Sequence, residues 1–104
     1  MMLSYFLTGS LHDHDNDFEL TIRQSGSDAG SPQYILRLED LTSAEKLCWE
    51  SLRTGFADAL SALSDFTAAK RIRFYGKNAT SSTIDPLIDR QLQEFIYSSV
   101  SGHL

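Results

Sequence analysis

The chain has 104 residues, of which 41% are apolar and 22% charged, and a net charge of −5. That length fits one domain, residues 1–104, able to bury roughly 60–70% of the surface of its unfolded chain, and the globular composition excludes extensive disorder. No apolar run approaches the ~18 residues of a membrane helix, no Lys or Arg leads residues 1–11 as in a secretory signal, and the single Cys48 excludes an intramolecular disulfide framework, so a cytoplasmic protein is expected.

In residues 1–11, Leu3, Tyr5 and Leu7 form a richer alternating set than Met2 and Phe6, and this predicts a first strand with the former facing the core. Phe18, Leu20 and Ile22 alternate with Glu19, Thr21 and Arg23 in a second strand, and Tyr34, Leu36 and Leu38 alternate with Ile35, Arg37 and Glu39 in a third. Between the last two lies the turn-forming stretch SGSDAGSP, which joins them most simply as an antiparallel hairpin. Setting Leu20 opposite Leu36 brings Phe18 to Leu38, Ile22 to Tyr34 and Glu19 to Arg37. Setting Leu7 opposite Ile22 and Leu11 opposite Phe18 leaves the loop His12 to Asp17.

Thr42-Ser43-Ala44-Glu45 has the form of a capping box. A helix is expected to follow, with the stripe Trp49, Leu52, Phe56, Leu60 and Leu63 against Arg53, Thr54, Asp58, Ser61 and Asp65; Gly55 would then cost about 1 kcal/mol in its interior. Ile72 and Phe74 alternate with Arg71, Arg73 and Tyr75 in a short fourth strand ending at Gly76. Asp85 and Pro86 then cap a second helix whose stripe is Ile88, Leu92, Phe95, Ile96 and Val100. The order βββαβα predicts an α+β domain, a mainly antiparallel sheet with two helices packed on one face.

The stretch HDHDND, residues 12–17, concentrates chemistry-bearing side chains. Asp13, Asp15 and Asp17 repeat the first alternating ligands of a calcium loop, but Phe18 stands where a glycine belongs and Gln24 where the closing carboxylate should be. His12 and His14 lack the further ligands of a closed metal site, so the stretch reads as a polar turn and no metal is expected. No nucleophile elbow or carboxylate pair at motif spacing occurs, and Gly76-Lys77 lacks the first glycine of a phosphate-binding loop. Neither a catalytic residue nor a cofactor is expected, and the chain does not read as an enzyme.

Charge patterning remains. Asp13, Asp15, Asp17 and Glu19 form an acidic hairpin tip suited to steering and docking a protein with a basic surface. Small acidic inhibitors, among them immunity and anti-defence proteins, work by that physics, as do adaptors. Arg71, Arg73, Tyr75 and Lys77 offer an alternative, a strand that binds nucleic acid or a phosphate ligand. The net charge disfavours it, because non-specific nucleic-acid affinity comes mainly from neutralising phosphates, and charged residues on an edge strand also block edge-to-edge aggregation. A homodimer in which the basic strand meets the acidic tip of a second copy is a further option. Tyr97, off the stripe of the second helix beside Arg90 and Glu94, is a candidate interface anchor.

Overall fold

The computed structural model describes residues 2–25, 32–42, 47–80 and 84–101, the last four by backbone alone. The elements are β1 (Met2–Leu11), β2 (His14–Ser25), β3 (Gln33–Asp40), β4 (Cys48–Thr54), α1 (Phe56–Lys70), β5 (Ile72–Ala79) and α2 (Pro86–Ser101). All strand pairs are antiparallel, in the order β4-β3-β2-β1-β5. The α+β class and the antiparallel sheet with its two helices stand as read from the sequence, with one strand more.

That strand is β4. Trp49, Leu52 and Phe56 do share a helical spacing, but Gly55, with φ of +85°, lies between them and turns the chain from strand into helix. A positive φ is inexpensive only for glycine, so Gly55 is a junction rather than a defect inside a helix. α1 therefore starts at Phe56 and buries Phe56, Ala59, Leu63 and Thr67. The proposed capping box lies mostly outside the described residues; the Thr42 hydroxyl itself accepts the Asp17 N–H at 2.8 Å.

Each strand presents the face that alternation assigns it. Leu3, Tyr5, Leu7, Phe18, Leu20, Ile22, Leu36 and Leu38 are fully buried and meet Leu63 of α1 and Ile88, Leu92 and Ile96 of α2. Phe18 and Phe74 contact edge to face, and Trp49 stacks on Phe66.

The registers differ from those expected. Leu20 faces Leu38 and Ile22 faces Leu36, which puts Phe18 opposite Asp40, Thr21 opposite Arg37 and Glu19 opposite Glu39. The shift is two residues, so every side chain keeps its face. It is accompanied by a buried polar link, in which the Asn16 amide donates to both carboxylate oxygens of Asp40 at 3.0–3.1 Å. Between β1 and β2, Leu7 faces Phe18 and Leu11 faces His14. The expected six-residue loop is thus a two-residue turn, His12 and Asp13, with φ of 51° and 67°. A two-residue hairpin turn of type I′ needs positive φ at both central residues, and Asp and His tolerate it better than most.

β5 runs beyond Gly76 to Ala79, along the outer edge of β1. Its register shifts between Thr8 and Gly9, so Tyr75 is an extra, bulged residue. The strands approach so closely there that a Cβ on Gly9 would lie 2.0 Å from the Arg73 carbonyl oxygen. The Asp85 carboxylate accepts the Leu87 and Ile88 N–H groups, capping α2 as the sequence indicates.

Candidate functional site

Residues that alternate with the core positions lie on the other face of the sheet, over which nothing packs among the described residues. From β4 to β5 this face carries the rows Leu52, Ile35, Arg23, Met2; then Glu50, Arg37, Thr21, Ser4; then Cys48, Glu39, Glu19, Phe6, Asn78; and finally Asp15, Ser10, Arg73. Three of its apolar members are open to solvent, Met2 at 60%, Leu52 at 51% and Phe6 at 45%, while Ile35 is half-buried.

The acidic residues singled out in the sequence fall here together. Asp15, Asp17 and Glu19 alternate with buried Asn16, Phe18 and Leu20, so they line up along β2, the middle strand, while Asp13 sits in the turn at its end. The register adds Glu39, opposite Glu19. Like charges directly opposed on a sheet destabilise it. Arg37, two residues along β3 on the same face, forms an ion pair with Glu39 and stands across from Glu50, so it is drawn away from β2. Sequence reasoning missed Glu39 because the expected register gave Glu19 an arginine partner.

The basic segment is split. Arg71 is the C-cap of α1, in the left-handed region with φ of 58°. Arg73 and Tyr75 belong to the open-face side of β5: Arg73 pairs in register with Ser10, and the Tyr75 hydroxyl donates to the Ser10 Oγ at 2.9 Å. Lys77 faces the helices, because the bulge reverses the alternation after Tyr75. There its Nζ lies 2.8 Å from the Asp89 Oδ1 of α2 and 5.6 Å from the centre of the Tyr5 ring. The four residues therefore do not form one surface. Since Ser10 lies between Asp15 and Arg73, the acidic and basic segments of a single chain are already neighbours.

The Tyr5 hydroxyl donates to the same Asp89 oxygen at 3.1 Å. Burial first, and then this bond to a carboxylate, push the tyrosine pKa up. Asp89 is held below the ordinary carboxylate range, chiefly by the hydrogen bond from Lys77. The three side chains tie α2 to β1 and β5; a tyrosine made harder to ionise and a lysine engaged with a carboxylate are the features of a structural fastening.

Among the described residues, no three of the His, Cys, Asp and Glu side chains stand close enough to hold a metal ion. Cys48 is exposed on β4. No helix among the described residues is long and apolar enough to cross a membrane. No family model, curated protein or solved structure matches the chain.

Proposed function

We propose that this is a non-catalytic binding module, an inhibitor or adaptor of the cytoplasm, that docks a basic surface of a protein partner on the uncovered face of its sheet. The observation that carries this reading is the line of Asp15, Asp17 and Glu19 along the central strand, with Glu39 set directly against Glu19. A fold selected for stability alone would place a base opposite Glu19; two facing carboxylates gain most when a partner supplies the positive charge. Met2 and Phe6 on the same face supply apolar area, and an apolar centre beside charged groups is how protein interfaces are built. The alternative, a phosphate or nucleic-acid ligand on Arg71, Arg73, Tyr75 and Lys77, has less support because Arg71 caps a helix and Lys77 is engaged beneath α2.

The test is affinity capture from lysate of the native host at low and high salt, with Asp15→Lys/Asp17→Lys/Glu19→Lys as the matched bait. A dominant protein partner that is lost both at high salt and with the variant bait is the expected result. Equal capture by both baits overturns the acidic face, and nucleic acid as the main bound species overturns the reading in favour of β5.

A further inference from the structure

The two edges of the sheet are built differently. In an antiparallel ladder, residues of one pair exchange both backbone hydrogen bonds, while those of the next pair point both groups away from each other. At the start of β4 the Asp40 N–H donates to the Leu47 carbonyl, and past its end the Gly55 N–H donates to the Pro32 carbonyl. Counting inward from either pair gives the same answer: Trp49, Ser51 and Arg53 spend their backbone groups on β3, while Cys48, Glu50, Leu52 and Thr54 aim theirs off the sheet. β4 keeps one register throughout. The opposite edge, β5, carries the bulge at Tyr75 and a lysine turned towards the helices, two devices that obstruct strand addition.

We infer that β4 pairs antiparallel with β4 of a second copy, with Ser51 on the two-fold axis. In that register the full strand is used. Cys48 stands opposite the partner's Thr54 and Glu50 opposite the partner's Leu52, so every edge-facing N–H and C=O meets a counterpart. Leu52, half exposed at the end of the row it shares with Ile35, gains cover from the stem of the partner's Glu50, whose carboxylate is opposite that copy's own Arg37.

Charge complementarity selects a second copy as the occupant. Trp49 stacks on Phe66 with ring centres 5.2 Å apart, which sets the α1 turn containing exposed Asp65 over the start of β4, while Arg53 lies near the strand's other end. A two-fold axis reverses one strand against the other. It carries each Arg53 to the partner's Trp49 and Asp65, a cation beside an aromatic face and a carboxylate. In the single chain the Arg53 Nη1 donates to the Leu52 carbonyl at 2.9 Å, covering one edge acceptor. Pairing exchanges that bond for the N–H of the partner's Glu50 and releases the guanidinium to cross the interface.

The experiment is light scattering of the full chain over a range of concentrations. The expected mass rises from 11.7 kDa to twice that value. Glu50→Pro removes an N–H that points off the sheet and leaves the ladder to β3 intact; it should give monomer at every concentration with an unchanged circular dichroism spectrum. Arg53→Asp and Asp65→Arg should each weaken the dimer about tenfold or more, and the double variant should regain it. A single-chain mass up to millimolar concentration, a dimer that survives Glu50→Pro, or a double variant as weak as the singles would each overturn the inference. None of these outcomes depends on what the open face binds.

Discussion

Glu19 and Glu39 face each other across β2 and β3 on the uncovered side of the sheet, and the one arginine that pairs with Glu39 is on its own strand. Relieving this opposition with Glu19→Gln should stabilise the fold by about 0.2–1 kcal/mol, the usual worth of a cross-strand pair. The same change should weaken partner capture. Urea unfolding and capture measured side by side check it, and the two effects must move in opposite senses; stability gained where function is lost marks a functional surface.

Asp89 gives the fold a defined acid sensitivity. Its folded-state pKa lies below the ordinary value of 3.8, so its contribution is complete above that value and is lost as the pH falls through the depressed one. Asp89→Asn should cost about 1–3 kcal/mol at neutral pH, because it leaves the Lys77 ammonium without its carboxylate. The gap between variant and parent should close on acidification below 3.8, as seen in urea midpoints at pH 7 and at successive lower values.

Gly9 is required for contact rather than conformation. Gly9→Ala places a methyl group 2.0 Å from the Arg73 carbonyl oxygen, a backbone atom that cannot turn aside. We expect a loss of about 1–3 kcal/mol, with β5 amide signals shifting more than those of β3 in NMR spectra.

The hairpin turn can be improved. His12 and Asp13 both hold positive φ, the arrangement that Asn-Gly adopts most readily. His12→Asn/Asp13→Gly should raise stability by about 0.5–1 kcal/mol in thermal unfolding without altering the β1–β2 register.

Alternation along Phe18–Ile22 and Tyr34–Leu38 made the inward faces legible in the sequence, because a period of two fixes the side of every residue. It does not fix register. Matching apolar to apolar favoured Phe18 against Leu38, whereas the fold slides β3 by two residues and sets Asn16 to hydrogen-bond Asp40. The inward parity of these polar residues, both at even positions like their apolar neighbours, was the available signal. β4 was obscured because it is an edge strand with a half-exposed Leu52 outside and Ser51 inside, a weak alternation that a helical spacing imitates; Gly55 was the clue to its end. The acidic line of the proposed docking face was legible in Asp13, Asp15, Asp17 and Glu19 but not in Glu39, whose place opposite Glu19 follows from register alone.

Strand β1 has neighbours of two kinds. β2 follows it after a two-residue turn, whereas β5 returns to it only after β3, β4 and α1 have been laid down. Short-range pairing can therefore zip β1 through β4 in sequence, while the β1–β5 seam must close a long loop against chain entropy. Native-state hydrogen exchange should resolve this as two tiers, the amides of β2 and β3 exchanging last and those of β5 and α2 opening together at lower free energy. Assembly would then proceed outward from the N-terminal meander, and the meeting of Lys77 with Asp89 and Tyr5 would be its closing step.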